Sequence, residues 1–200
     1  MGTRNLICVV EGGKYRVAQY GQWDGYPSGQ GMGVLNFLRN NGTKSLQDGL
    51  RWCRWLTQCE ERKRWAEFGV DIDANSFVKM DIADRFYNRY PELSRDTGSK
   101  ILHIVANADA PLVLSNEHDF AYDSLFCEWA YVIDLDKRTF EVYEGFNKKP
   151  LDKSERFYTE NIVKNNIGET YYPVRLKTSY SLDDLPDEET FLKDNETEDE

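Results

Sequence analysis

Histidine is scarce in this chain: His103 and His118 are the only two among 200 residues. Asn116-Glu117-His118-Asp119 and nearby Asp123 gather nitrogen and oxygen donors, but not at HExxH or any other defined metal spacing. The segment is expected to be a cap and a solvated loop, with no metal and no cofactor. The four cysteines, Cys8, Cys53, Cys59 and Cys127, form no CxxC pair and sit in apolar patterns, which predicts reduced, buried thiols. Cys8 lies mid-strand with no histidine or basic residue beside it, a poor setting for a nucleophile. No apolar run approaches ~18 residues, so no membrane span is expected. No basic-then-apolar leader precedes Leu6, and the expectation is a cytoplasmic protein. Leu6 also stands where a myristoylation signal opening Met1-Gly2 needs Ser or Thr.

A basic face is lacking too. The formal charge is −10, but Asp183 to Glu200 holds ten acids against one lysine, a net −9. That leaves −1 for residues 1–182. A nearly neutral body argues against duplex DNA as a partner, because displacing counterions needs a basic surface. The expectation is one globular domain over 1–182 and an acidic, disordered tail over 183–200. At 40% hydrophobic and 14% aromatic, the body has enough apolar surface for a core.

What the chain does have is a glycine-rich stretch from Gln19 to Gly33, with five glycines among Tyr20, Trp23, Tyr26, Asp24 and Pro27. A strand pattern (Asn5 to Val10) and a Gly12-Gly13 hairpin returning through Tyr15 to Tyr20 lead into it. A short helix carrying Val34, Leu35, Phe37 and Leu38 leaves it, stopping at Asn40-Asn41-Gly42. Ser45 to Trp65 reads as the longest helix, breakable near Gly49, and Asn75 to Arg89 as another. Thr97 to Ala108 fits helix, with Asp96 as cap, or strand. Phe126 to Leu135 and Thr139 to Phe146 form a second hairpin, and Tyr171 to Tyr180 a last strand. The order predicts an α+β fold: an antiparallel sheet of two hairpins plus a C-terminal strand, with a helical insertion packed on it.

Strand, glycines, helix is the setting of a phosphate cradle. However, Gly29-Gln30-Gly31-Met32-Gly33 is neither GxGxxG nor followed by GK[ST], so no dinucleotide fold or P-loop is supported. Free amides around Gly31 to Val34 would still suit an anion. The alternative is a structural Ω-loop packing Trp23 and Tyr26 on the body. Asp24 is a turn cap, a hydroxyl acceptor or an acid/base. Glu128, a carboxylate in an aromatic strand, lines a pocket or pairs with an arginine, since an unpaired buried charge is costly. Arg51 and Arg54 begin the one notably basic stretch and suit phosphate contacts or a solvated helix face. Tyr20, Gln22, Trp23, Asp24, Tyr26, Gly29, Gly31, Glu128, Arg51 and Arg54 are therefore the candidate ligand-binding residues. The expected partner is a small nucleotide-like ligand, stacked on aromatics and held by donors. A homo-oligomer stays open. Two alternatives are a hydrolase using Asp24 and Glu128 as acid and base and a protein-interaction module inserting its aromatic loop into a partner.

The run Arg16-Val17-Ala18-Gln19-Tyr20-Gly21-Gln22-Trp23-Asp24-Gly25-Tyr26-Pro27-Ser28-Gly29-Gln30-Gly31 resembles the signature of a largely uncharacterised family of phages, bacteria and fungi. Glu128 to Asp136, continuing at Glu141 to Phe146, is similar to that family's second recurring block. The resemblance implies no catalytic residue. It suggests a viral protein that captures a nucleotide-derived immune signal.

Overall fold

The computed structural model describes residues 2–74, 77–160 and 169–195. Alternating apolar residues build β1 (Asn5–Glu11), and Gly12 and Gly13, at φ +61° and +68°, turn the chain into β2 (Lys14–Gly21). Both turn amides donate to the Asp136 carboxylate, at 2.9 and 2.8 Å. β5 (Trp129–Asp134), β6 (Thr139–Glu144) and β7 (Arg175–Ser181) complete a five-stranded sheet in the order β2-β1-β5-β6-β7. The fold is α+β, and the sheet is mostly antiparallel. Its one departure from the expectation is the central β1–β5 pair, which is parallel. The helical insertion supplies the long crossover that parallel neighbours require.

Because successive strand side chains point to opposite faces, the sheet carries two cores. Ile7, Val9, Tyr131, Ile133 and Phe140 face α1 (Met32–Asn41), α2 (Lys44–Leu50) and α5 (Lys100–Ala106). Leu6, Cys8, Ala130, Val132 and Tyr143 face segments bearing Ala121, Leu151 and Phe157. α1 stops at Gly42, φ +63°, whose amide donates to Leu38 O at 2.9 Å. A third cluster stacks Trp65 of α3 (Gln58–Ala66) on Phe86 of α4 (Met80–Arg89), with ring centroids 3.6 Å apart.

Several local expectations are corrected. The long helix over Ser45 to Trp65 is instead α2, the short strand β3 (Cys53–Trp55) and α3. β3 pairs in parallel with β4 (Leu112–Leu114), a partner that no local pattern announces. Gly49 lets α2 close on α5: a Cβ there would fall 1.7 Å from Val105 O. The helix expected from Asn75 begins at Met80 as α4, and Phe77 and Met80 are exposed; Asn75 and Ser76 lie outside the described residues. Residues 100–106 are helical, resolving the ambiguity after Thr97. Cys59 is exposed on α3, unlike the other three cysteines.

The largest correction is the tail. Residues 188–195 form α6 (Glu188–Asn195), and Phe191 is fully buried, stacked on Phe140 at 5.8 Å. Asp187 caps this helix through the Thr190 amide at 2.8 Å, and Glu188 and Glu189 complement its N-terminal dipole. The acids there are helix-starting groups rather than marks of disorder. Residues 196–200 lie outside the described residues. Among the described residues no helix is long and apolar enough to cross a membrane.

Asn5, Gly21, Trp129, Glu144 and Arg175 lie in register across the sheet. The glycine loop emerges at this end.

Candidate functional site

The loop is anchored by its backbone while its aromatic side chains stay outside. Gly25 is buried between the segment entering β1 and Tyr131 of β5: its amide donates to Thr3 O at 2.9 Å, and its carbonyl accepts from the Tyr131 hydroxyl at 2.7 Å. Pro27 to Gly31 forms one wide π-type turn running into α1. Gly31 packs on Tyr131, and a Cβ there would fall 2.8 Å from the ring. Gln30 crosses to the segment before α5, its Oε1 accepting from the Ser99 amide at 2.7 Å. Burial drives the Tyr131 phenol well above its ordinary pKa, so it stays a donor.

Bonds within the turn take the first amides of the expected phosphate cradle, Gly31 and Met32. The amides of Gly29 and Gly31 donate to Tyr26 O, Gln30 to Asp24 O, and Met32 to Gly29 and Pro27 O. An amide already paired inside its own turn offers nothing to an anion.

Trp23 and Tyr26 do not pack into the body either: they are 51% and 52% exposed. Trp23 is nonetheless fixed. Its Nε1 donates to Asp96 Oδ1 at 2.8 Å, and its carbonyl accepts from Asn5 Nδ2 and Gln30 Nε2, each at 3.3 Å. The Gly2 backbone lies on the ring, where a Cβ would fall 2.1 Å from Cε3. Asp96 therefore binds this indole rather than capping α5. Asp24 takes φ +56°, a conformation Asp tolerates better than most residues. Its exposed carboxylate makes no hydrogen bond among the described residues, so it does not cap the turn.

Tyr20, half-buried, donates to Gln22 Oε1 at 2.6 Å and meets Phe120 edge-on at 4.9 Å. Burial raises its phenol pKa, opposed by the positive charges of Arg4 and Arg95. Gln22 is held through its amide to Arg95 O at 2.9 Å. Glu128 precedes β5, and its Oε1 accepts from the Arg4 amide at 3.2 Å. It is thus paired with an arginine's backbone rather than its guanidinium. The Arg4 guanidinium lies 4.6 Å from the Phe126 ring centroid. Its Nε is buried without a hydrogen-bond partner among the described residues. Neither Arg4 nor Arg95 forms an ion pair among the described residues.

Arg51 and Arg54 are not brought to this end. Arg51 pairs with Asp48 at 3.0 Å, and Arg54 makes a two-pronged pair with Glu60, which also caps α3. Both are the solvated helix-flanking groups of the plainer reading. No family model, no curated protein and no solved structure matches this chain. The site therefore stands on its own geometry, which adds Arg4, Arg95, Asp96, Phe126 and Tyr131 to the residues read from sequence. Asp96 had a sequence signal, read as the wrong cap, and Tyr131 lies within the second recurring block; Arg4, Arg95 and Phe126 carried none.

Proposed function

We propose that the chain is a binding protein for a small, nucleotide-like, phosphate-bearing ligand, which it sequesters. The observation that carries this reading is Trp23: half its surface is in solvent, yet its indole, carbonyl and ring face are all held. Ordering an aromatic side chain without burying it forgoes hydrophobic stabilisation, and a fixed, open ring lowers the entropy lost when a base stacks on it. Tyr26 supplies a second open ring, and Asp24 a carboxylate, unpaired among the described residues, for a hydroxyl or base edge. Arg4 and Arg95, rather than the glycine amides, take the phosphate, since guanidinium groups without carboxylate partners suit it best. A viral protein withdrawing a host immune nucleotide is the setting the family resemblance suggests.

Binding is favoured over hydrolysis by Asp24 and Glu128 because Glu128 already accepts from the Arg4 amide while Asp24 faces solvent. A second reading, a protein-interaction surface, is favoured by one observation. Phe126 and Phe146 are also exposed at this end of the sheet, and Phe146 holds φ +50°, which is strained for a bulky residue. The test is a thermal-shift screen against cyclic dinucleotides, ADP-ribose derivatives and common nucleotides. Mass spectrometry of material released on heating accompanies it. Stabilisation with the ligand recovered intact supports sequestration; recovery of products supports the hydrolase; a flat screen leaves the interaction surface.

A further inference from the structure

A second concavity lies at the opposite end of β2 from the glycine loop, and three distant segments build it. Lys14, Tyr15 and Arg16 open β2, Trp55 ends β3, and Asn116 and His118 follow β4; together they line a cleft of about 380 Å³. Each wall is pinned. Arg16 spans Glu11 at 2.8 Å and Leu50 O at 2.7 Å. The Glu117 amide donates to Ala18 O at 3.0 Å, holding the 116–118 turn against β2. Asn116 Oδ1 accepts from the His118 amide at 3.3 Å. His118 sits 4.2 Å from Tyr15, centroid to centroid, at a 50° tilt.

This arrangement leaves particular groups free. Among the described residues, Lys14 Nζ, Asn116 Nδ2 and His118 Nε2 have no hydrogen-bond or ion-pair partner, whereas His118 Nδ1 lies 3.3 Å from Asp119. Three residues with a free donor-capable group thus line one cleft with the Trp55 indole and the Tyr15 phenol, whose ring packs on His118 and Phe157. The volume falls within the range of small-ligand sites, and the mixture of flat apolar faces with a few polar groups is theirs too. Flat faces take a planar ring. An unpaired ammonium beside a tethered guanidinium and an imidazole takes a negative charge. Glu11, Glu117 and Asp119, carboxylates beside lining residues, set a limit: Arg16 is already paired with Glu11, so Lys14 can match one anionic group and a polyphosphate would meet repulsion.

We propose that this cleft is a binding site for a planar, ring-bearing small molecule with a single anionic group, such as a nucleoside monophosphate or an aromatic carboxylate. The site is separate from the glycine loop and does not depend on it.

The test is amide and indole chemical-shift mapping on the full chain with four probes: AMP, benzoate, adenosine and inorganic phosphate. The expected result is saturable perturbation of the Trp55 indole and the Asn116 side-chain amide by AMP or benzoate, with adenosine and phosphate far weaker. The responding probe distinguishes the nucleotide from the carboxylate. Lys14→Met, at an exposed turn that keeps its fold, should weaken that binding about tenfold, and Trp23→Ala should leave it unchanged. Silence at Trp55 and Asn116 up to ~10 mM of both ring-bearing anions would overturn the proposal, as would undiminished binding to Lys14→Met. AMP shifts confined to residues 20–31 would support the loop platform and overturn the cleft.

Discussion

The Tyr131 hydroxyl donates to the Gly25 carbonyl at 2.7 Å, joining residues 106 positions apart. This bond sets the glycine loop against the sheet: the phenol comes from the middle of a fully buried strand, and the acceptor from the centre of Trp23-Asp24-Gly25-Tyr26. Tyr131→Phe would leave that buried carbonyl without its donor, costing about 1–3 kcal/mol. Calorimetry should show a melting temperature lowered by about 2–4 °C per kcal/mol. An unchanged melting temperature would mean that the carbonyl finds another donor.

Gly31→Ala attacks the same contact from the other side. Its Cβ would lie 2.8 Å from the Tyr131 ring, and neither the buried ring nor the turn can yield freely. Overpacking of this kind costs about 1–3 kcal/mol. Gly12→Ala, at a turn with open space around it but φ +61°, should act through backbone strain alone and leave the loop intact. Denaturant midpoints of the two variants, read with Trp23 accessibility to quencher, separate the cases: only Gly31→Ala should change quenching.

Arg156, Asp134 and Glu141 form a buried charge network on the opposite sheet face. Arg156 Nε donates to Glu141 Oε2 at 2.7 Å, Nη2 reaches both Glu141 and Asp134, and Tyr143 adds a 2.6 Å bond to Glu141. Burial alone would raise both carboxyl pKa values. The Lys137 amide and Arg156 outweigh it at Asp134, as Arg156 and Tyr143 do at Glu141, so both values are lowered. Groups with lowered folded-state pKa values stabilise the fold above their unfolded values, about 3.9 and 4.3, and that contribution disappears as pH falls through the folded values. Wild-type stability should therefore decline below about pH 4. Arg156→Met leaves two buried carboxylates without a counter-charge, at a cost of about 3–5 kcal/mol near neutrality. Their pKa values then rise, and the variant should gain stability as pH drops from 7 toward 4. Urea melts across that window check the opposite slopes.

Phe191→Ala should cost about 3–5 kcal/mol, because the ring is fully buried against Phe140. Truncation before Glu188 should cost at least as much. A truncated chain with an unchanged denaturation midpoint would show that α6 is not docked in solution.

Sequence patterns reveal those parts of the fold that local chemistry decides. The Gly12-Gly13 hairpin, the Asn40-Asn41-Gly42 helix end and the alternating strands are visible because turn residues and two-residue periods act over a few positions. What escapes is decided by distant partners. Cys53–Trp55 is a strand only because Leu112–Leu114 lies beside it. β1 and β5 run parallel because a long insertion intervenes. α6 had a local signal in Asp187 and Thr190, but the acidity of its surroundings reads as disorder until Phe191 finds Phe140. At the site, the loop aromatics are legible by composition, whereas Arg4 and Arg95 look like any other arginines until the fold brings them to Tyr20. Arg51 and Arg54 mislead for the converse reason: clustered in sequence, they are each neutralised by an acid nearby.

The most direct test of the central claim is the nucleotide thermal-shift screen run in parallel on wild type and Trp23→Ala. The exposed indole makes few packing contacts that folding depends on, so the variant should unfold near the wild-type temperature. The expected result is that at least one nucleotide stabilises wild type, is recovered intact, and loses most of its effect on Trp23→Ala. Equal shifts in both proteins for every nucleotide that stabilises wild type, or no shift in wild type with any probe, would contradict the claim that Trp23 is the stacking surface of a nucleotide site.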